Sequence, residues 1–169
     1  MAESGANGAD QRPLEGIPVL DFTRVVAGPL ATRMMADLGA EVIKIEPVDG
    51  DLCRTFPPHV EDGLNPYFCQ QNVGKRFCSV DLRAPGASEL VRELVSHCDV
   101  VVENYRPGVM AKFGLGPDEL CEAHPALVVG DIVTAMSAAS TINAMLVKAA
   151  RTGRGGHIDV CMVEAMVYI

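Results

Sequence analysis

The segment from Gly16 to Glu46 most constrains the fold, because it has the pattern of a strand, a tight turn, a helix and a second strand. An apolar run from Ile17 has one polar break, at Asp21, which is typical of a strand buried on both faces. Pro29 suits the first turn of the helix that follows. The helix has an apolar stripe of Leu30, Met34 and Leu38, and the second strand contains Val42, Ile43 and Ile45. A helical crossover between buried strands implies a parallel pair, so we predict an α/β fold, a Rossmann-like parallel sheet with flanking helices.

Four turns are candidates for binding a ligand. Ligands of parallel α/β sheets bind at the carboxyl ends of the strands, which makes the turn after the first strand the first candidate. The four turns are Thr23–Pro29, Asn72–Arg76, Arg83–Pro85 and Asn104–Gly108. If the sheet is parallel, at least the first and the last lie on one edge, where a nucleotide-like ligand could bind.

The composition limits the class of partner. A formal net charge of −8 over 169 residues argues against nucleic acid, although a few local basic groups would suffice for a phosphorylated small molecule. The six cysteines form no CxxC pair and the four histidines complete no metal-ligand spacing, so we predict reduced thiols, no metal site and a cytoplasmic location. Residues 1–13 lack the features of a signal or transit peptide and are predicted to be a flexible tail. No apolar stretch is suited to cross a membrane.

The second half of the chain continues the alternation of strands and helices. A strand is predicted at Ala126–Val129, after which Gly130 and Asp131 run directly into a long helix from Ile132 to about Ala150. Its predicted apolar face is Ile132, Met136, Ala139, Ile142, Leu146 and Ala149. The helix after Pro85 is predicted to bury Leu90, Val91, Leu94, Val95 and Cys98. The glycines that follow the long helix favour a helix end over a phosphate loop.

Several charged residues lie near the predicted strand ends. The basic ones are Lys44, Lys75 and Arg76, and the acidic ones are Asp21, Asp81 and Asp131. The basic group is interpreted as solvated charge, with phosphate contact as the alternative. The acidic group is interpreted as structural carboxylates, with a nucleophile or a base as the alternative.

Four segments, taken in order, resemble the amino-terminal part of the class III CoA-transferases, the family of formyl-CoA transferase, carnitine CoA-transferase and alpha-methylacyl-CoA racemase. They are PLEGIPVLDFTRVVAGPLATRMMADLGAEVIKIE, NVGKRFCSVDLRAPG, DVVVENYRPGVMAKFGLG and GDIVTAMSAASTINAMLVKAARTGRGGHIDVCMVEA. The resemblance implies that residues 14–169 are an incomplete CoA-transferase family III large domain. It also implies acyl-CoA and a carboxylic acid as substrates, no tightly bound cofactor, and an interlocked dimer.

The resemblance implies a CoA site, residue by residue. The implied residues are Val25, Val26, Ala27, Val80, Arg83, Asn104, Tyr105 and Lys112. By resemblance, the turn Val25–Ala27 lies against CoA, Val80 and Arg83 contact its nucleotide part, Asn104 and Tyr105 line the site, and Lys112 meets phosphate. Such a ligand needs cations for its phosphates, an apolar slot for adenine and a groove for the thioester arm.

The chain also departs from the family pattern. Pro47 stands where some members place a basic CoA contact, and Val26 stands where formyl-CoA transferases have glutamine. Val129 joins Gly130 directly, without the segment that carries the nucleophilic aspartate in the family. In the family mechanism that carboxylate attacks the acyl-CoA thioester, and an anhydride and then an aspartyl-CoA thioester form. We therefore predict an internal deletion at 129–130, no catalytic residue, and little activity of this chain alone.

Three functional hypotheses follow from the resemblance. The first is a CoA-transferase relative that is inactive alone. The second is a non-catalytic CoA-binding or subunit-interaction protein, in a homodimer or in a hetero-oligomer with a full-length relative. The third is a fragment like alpha-methylacyl-CoA racemase, although the histidine of its proton-transferring pair has no match here. Asp131 is not a substitute nucleophile, because it matches the aspartate that opens the later helix.

Overall fold

A single parallel sheet organises the computed structural model of the chain. The structure describes residues 12–60, 65–132 and 135–160, and for residues 131 and 132 only the backbone. The strands are β1 (Pro18–Asp21), β2 (Glu41–Glu46), β3 (Arg76–Ser79), β4 (Val100–Glu103), β5 (Val128–Ile132) and β6 (Gly156–Val160). Their order across the sheet is β3-β2-β1-β4-β5-β6, and every pair is parallel. The predicted α/β fold with a Rossmann-like parallel sheet is therefore confirmed.

The strand order reverses beside β1. Val19 of β1 is in register with Val42 of β2 on one side and with Val100 of β4 on the other. The chain therefore leaves the sheet in opposite lateral directions after β1 and after β4. In open α/β sheets this reversal opens a crevice at the carboxyl ends of the two strands, and that crevice is where ligands bind.

Helices and short 3₁₀ segments connect the strands. The helices are α1 (Ala27–Asp37), α2 (Pro66–Asn72), α3 (Ala87–Val95), α4 (Pro117–Ala123) and α5 (Ala135–Thr152), and the 3₁₀ segments are Leu52–Thr55 and Met110–Phe113. Pro29 lies in the first turn of α1, as the sequence predicts. Gly153 follows α5 with φ +67°, and its N–H donates to the carbonyl of Ala149. The interpretation of these glycines as a helix end is therefore confirmed.

Successive residues of the central strands contact two different apolar clusters. One cluster contains Val19, Val100 and Val128, and the other contains Leu20, Val101 and Val129. Met35 of α1 and Ile142 of α5 pack in the first cluster, while Val91 of α3 and Leu120 of α4 pack in the second. Because helices cover both faces, the central strands carry apolar residues at consecutive positions, which is the pattern that predicts them.

The boundary between β5 and α5 differs from the prediction. Gly130 and Asp131 belong to β5, which pairs with β4 and β6 as far as Ile132, so the helix does not begin at Ile132. Residues 133 and 134 lie outside the described residues, and α5 begins at Ala135. Two flanking strands offer hydrogen-bond partners to these residues, and this tertiary pairing outweighs the local preference of Gly-Asp for a turn.

Three residues of the predicted apolar helix stripes are exposed, one of them Leu38 at the end of α1, at 38%. Met136 of α5 is 71% exposed and Leu90 of α3 is 52% exposed, so these predictions were wrong. The buried face of α5 instead uses small residues, including Ala135 and Ala138, together with Ile142. Small side chains allow α5 to lie close to α1, and the larger Met136 is left on the solvent side. Hydrophobicity alone did not distinguish the two faces.

Parts of the predicted organisation fall outside the described residues. Residues 1–11 of the predicted tail and residues 161–169 belong there. Within the ranges that the structure describes, no helix has the length and apolar character needed to span a bilayer. The division into a tail at 1–13 and a partial domain at 14–169, with a deletion at 129–130, stays a prediction.

Candidate functional site

Three of the four candidate turns follow strands at the carboxyl edge of the sheet, whereas Asn72–Arg76 leads into β3 and lies at its amino end. β1 and β4 are neighbours, so the turn that begins at Thr23 lies beside the turn that begins at Asn104. On the other side of β1, β2 ends at Glu46 and β3 at Ser79. The first and last candidate turns therefore share one edge, as the sequence predicts for a parallel sheet.

The side chain of Asn104 joins the turns after β1 and β4. Its Nδ2 donates to the carbonyl of Arg24 at 2.8 Å, and its Oδ1 accepts from the N–H of Arg24 at 2.8 Å. Both backbone groups of Arg24 are therefore satisfied by one amide 80 positions away. This pairing fixes the turn that follows β1, because rotation of Arg24 would leave two backbone groups without partners.

Val25 holds an unusual backbone conformation at the same turn. Its φ is +69°, a region that a β-branched residue rarely adopts. The N–H of Val25 donates to the Asp51 carboxylate at 3.2 Å, and the Cys53 thiol donates to the Val25 carbonyl at 3.3 Å. The loop after β2 thus holds the strained residue by both of its backbone groups, and such strain is typical of functional sites.

Beneath the turn lies a buried carboxylate, Asp21. It accepts hydrogen bonds from the Thr23 hydroxyl at 2.5 Å and the Thr32 hydroxyl at 2.6 Å, and it pairs with Lys75 Nζ at 2.9 Å. Burial alone would raise the pKa of Asp21, but Lys75, Lys44 and the two hydroxyls outweigh it and hold that pKa below its usual value. Asp21 is therefore an ionised structural group, which confirms its interpretation from the sequence.

Lys44 and Lys75 are not solvated charges, so that interpretation was wrong. Lys44 Nζ lies 3.2 Å from Asp51 and donates to the Thr23 carbonyl at 2.5 Å. Both lysine side chains are almost fully buried in their ion pairs. Burial lowers the pKa of Lys75 to about 8, although Asp21 acts against this change. Because both ammonium groups are occupied inside the protein, neither is free to meet a phosphate.

Two cavities open at this edge of the sheet. The larger has a volume of about 620 Å³ and the smaller about 220 Å³. The larger is lined by Arg24, Val25, Val26, Ala27, Leu52, Asn104, Tyr105, Arg106 and Val109. The smaller is lined by Phe22, Arg24, Ile45, Glu46, Pro47, Val80, Asp81, Leu82, Arg83, Tyr105, Val109 and Phe113. Three residues line both cavities, and we refer to the two together as the edge groove.

Seven of the eight residues implied by the resemblance line the edge groove. Val25, Val26, Ala27 and Asn104 line the larger cavity, Val80 and Arg83 the smaller, and Tyr105 both. Arg83 is 82% exposed and pairs with Asp81 at 2.9 Å. Lys112 is exposed and lines neither cavity, although its neighbour Phe113 does. The assignment of these residues to CoA stays a prediction.

Sequence reasoning missed Arg24, which lines both cavities. Its Cζ lies 5.8 Å from the centre of the Tyr105 ring, within the range of a cation–π contact. Burial raises the pKa of Tyr105 while Arg24 acts to lower it, so the phenol stays protonated at neutral pH. A basic residue inside the turn Thr23–Pro29 was the signal that would have identified Arg24.

Thiol and metal chemistry have little support in the described part of the chain. Burial, and then the nearby Asp51, raise the pKa of Cys53 to about 11, so this thiol is not an activated nucleophile. No group of three or more His, Cys, Asp or Glu residues among those described is arranged to hold a metal ion. The groove therefore offers a ligand an apolar wall, the backbone groups of the turns and arginine side chains.

The family model of CoA-transferase family III matches the chain over residues 14–130 and 128–169. Human succinyl-CoA:glutarate CoA-transferase is 42% identical over 118 residues, 69% of this chain and 27% of the relative. The probable fatty acyl-CoA transferase Rv3272 of Mycobacterium tuberculosis is 46% identical over 120 residues, which are 69% of this chain and 30% of the relative. Succinate–glutarate CoA-transferase of Agrobacterium fabrum is 35% identical over an alignment of 205 residues, which covers 90% of this chain and 51% of the relative.

Solved structures agree with these matches. A crystal structure of Rv3272 superimposes with a TM-score of 0.84 at 30% identity, covering 93% of this chain and 56% of that one. A CAIB/BAIF family protein from Brucella suis gives 0.82 at 30% identity, covering 94% and 57%. The chain thus spans about a quarter to just over half of the length of these relatives. The paired match of the family model and the agreement of sheet and helices show that this chain belongs to CoA-transferase family III.

Proposed function

We propose that this chain binds coenzyme A or an acyl-CoA in the edge groove. The observation that carries the proposal is the double hydrogen bond between Asn104 and Arg24, which joins the two turns implied by the family resemblance into one wall of the larger cavity. The groove lies at the carboxyl ends of β1 and β4, where open α/β sheets bind nucleotide ligands.

The two cavities suit different parts of the ligand. The smaller is walled by apolar residues such as Phe22 and Leu82, with Arg83 at its rim, which fits an adenine ring with adjacent phosphate. The larger cavity runs along the strained turn at Val25 and fits the flexible thioester arm. A chain with net charge −8 thus keeps arginines where an anionic ligand would enter.

The proposed reaction context is the transfer of CoA between an acyl-CoA and a carboxylic acid. Relatives named for a reaction include CoA-transferases of succinyl-CoA with glutarate, mesaconate or D-citramalate, and of acetyl-CoA with oxalate. Short dicarboxylic acids are therefore the first acceptors to test with this chain. By family analogy the protein needs no tightly bound cofactor, and the unpaired spacing of its cysteines favours a cytoplasmic location.

We also propose that the chain alone lacks the attacking carboxylate. Glu46 and Asp81 line the smaller cavity, but each is paired, with Arg54 and Arg83 respectively. The described lining of the larger cavity contains no aspartate or glutamate. The family match comes in two parts that meet at residues 128–130, and the 205-residue alignment is longer than the chain itself. Both observations support a missing internal segment at 129–130.

Isothermal titration calorimetry with CoA tests the binding proposal. Val26→Asp places a negative charge in the larger cavity, at the N-cap of α1, where aspartate is favoured and the fold is preserved. We expect at least about tenfold weaker CoA binding than in the wild type, because like charges repel. Val147→Asp is the matched control, since Val147 is a similarly exposed valine on α5 outside the groove. Equal CoA affinity in the wild type and in both variants would contradict the proposal.

Mass spectrometry after incubation with succinyl-CoA tests the predicted inactivity. We expect no covalent CoA thioester on the protein, and a thioester adduct would refute the missing nucleophile. Size-exclusion chromatography with light scattering, alone and with a full-length family member, tests the predicted homodimer or hetero-oligomer. Deuterium exchange at the alpha carbon of a 2-methylacyl-CoA would favour the alternative, a racemase-like fragment.

A further inference from the structure

Arg24 is a partly buried cation that has no counter-ion among the residues that the structure describes. Within the described residues, five other guanidinium groups form ion pairs: Arg33, Arg54, Arg76, Arg83 and Arg92. Arg24 forms none, and its Nε is buried with no hydrogen-bond partner. Removing a guanidinium from water without pairing it costs free energy, which a ligand with a negative charge would recover.

The side chain of Arg24 is positioned before any ligand arrives. Both of its backbone groups are bound to the Asn104 amide, and its guanidinium lies beside the Tyr105 ring. Neither neighbour is charged, so neither neutralises it. Glu46 also lines the smaller cavity, but its carboxylate pairs with Arg54 at 2.9 Å. The guanidinium also hydrogen-bonds the Tyr105 side chain, but that neutral partner leaves its charge unpaired and its Nε without a partner among the described residues, so the group can bind an oxyanion.

Arg24 lines both cavities, so a ligand that spans them must pass its guanidinium. We propose that Arg24 is an oxyanion-binding residue of the edge groove, taking either the diphosphate of a nucleotide ligand or the carboxylate of an acid. The identity of the oxyanion as part of CoA or of its acceptor rests on the proposed function. The binding of an oxyanion by Arg24 is independent of the proposed function.

Calorimetric titration with inorganic pyrophosphate and with glutarate tests the inference on the full chain. Arg24→Gln removes the charge and keeps most of the side-chain volume and the backbone bonds to Asn104. Arg76→Gln is the matched control, because Arg76 is exposed, already paired with Glu41, and absent from the groove lining. We expect Arg24→Gln to weaken binding of one probe about 10- to 100-fold, and Arg76→Gln to change it less than about twofold.

The two probes separate the sources of the oxyanion. A loss confined to pyrophosphate identifies a diphosphate, and a loss confined to glutarate identifies an acceptor carboxylate. If Arg24→Gln fails to fold, judged by circular dichroism, Arg24→Lys replaces it, because lysine keeps the charge but loses the fork and should weaken binding by a smaller factor. The inference is overturned if the wild type binds neither probe. It is also overturned if these variants bind both probes with the affinity of the wild type.

Titration with CoA distinguishes this inference from the proposed function. If CoA binds the wild type and Arg24→Gln equally, the groove binds CoA but Arg24 does not bind its diphosphate. The inference then stands only if glutarate binding depends on Arg24, and equal glutarate binding as well overturns it. If pyrophosphate binding depends on Arg24 while CoA does not bind at all, the proposed function fails and the oxyanion site stands.

Discussion

The Lys75→Met variant is expected to lose about 3–5 kcal/mol of unfolding free energy. Lys75 Nζ lies 2.9 Å from the Asp21 carboxylate, and both side chains have no solvent exposure. Methionine fills a similar volume but leaves the carboxylate buried without this cation. Two hydroxyls still donate to Asp21, yet they do not neutralise its charge. For a chain of this size the loss corresponds to a fall in melting temperature of about 6–20 °C.

The adjacent residue supplies the control for burial. Arg76 pairs with Glu41 at 2.7 Å, a distance close to that of the buried pair, but its side chain is 69% exposed. Arg76→Met is therefore expected to cost at most about 1 kcal/mol. Urea denaturation followed by circular dichroism measures both variants. A loss below about 1 kcal/mol for Lys75→Met, or equal losses for the two variants, would refute the argument from burial.

A double-mutant cycle separates the pair from general damage to the core. Asp21→Asn removes the buried charge that Lys75→Met leaves behind, so the double variant should be more stable than the sum of the two single losses predicts. We expect a coupling energy of about 1–3 kcal/mol. A coupling energy near zero would mean that the two charges do not depend on each other.

The same pair predicts how stability depends on acid. The pKa of Asp21 is held below its usual value, so the unfolded state binds this proton more readily than the folded state. Its stabilising contribution is fully present above about pH 4 and is lost as pH falls through the lowered pKa. The difference in unfolding free energy between the wild type and Asp21→Asn should therefore shrink below about pH 4. A constant difference from pH 7 to pH 2 would contradict it.

Three further predictions concern the turn after β1. Asn104→Ala should cost about 1–3 kcal/mol in urea denaturation, because it leaves the N–H and C=O of Arg24 without partners; an unchanged midpoint would argue that water replaces the amide. At pH 8 Ellman's reagent should label the exposed Cys78 in the native protein but reach Cys53, whose pKa is about 11, only after unfolding; mass spectrometry of the labelled peptides checks the order. Val25→Gly should leave the unfolding free energy unchanged or raise it by up to about 1 kcal/mol, since glycine adopts φ +69° without strain; a clear loss would show that the valine side chain matters more than the backbone.

The sheet could be predicted because buried parallel strands have a distinctive apolar pattern. The segment from Gly16 to Glu46 contains two apolar runs and a helical stripe, and the structure has a strand, a helix and a strand there. The buried face of α1 nevertheless centres on Ala31 and Met35, one position along from the predicted stripe. The end of β5 could not be predicted in this way. Gly130 and Asp131 favour a turn in isolation, and only the neighbouring strands β4 and β6 make them part of a strand.

The site was predicted in part. The parallel-sheet pattern identified the turns Thr23–Pro29 and Asn104–Gly108 as neighbours, the resemblance named Val25 and Asn104 within them, and both residues line the larger cavity. The roles of Lys44 and Lys75 were hidden, because a sequence gives no sign that Lys75 meets a carboxylate 54 positions away. The position of Arg24 in the turn Thr23–Pro29 was readable from the sequence, but the absence of an ion-pair partner for it among the described residues is visible only in the structure.

The placement of β1 also has a consequence for synthesis on the ribosome. β1 pairs with β2 soon after it emerges, but its other neighbour, β4, follows about 80 residues later. At translation rates of about 5–20 residues per second, one edge of β1 stays open for about 4–16 s. An open strand edge can pair with other chains. β1, which lies between two strands in the finished sheet, therefore waits longest for its second neighbour. Where lower growth temperatures or coexpressed chaperones raise the soluble yield, we therefore expect them to act during this interval.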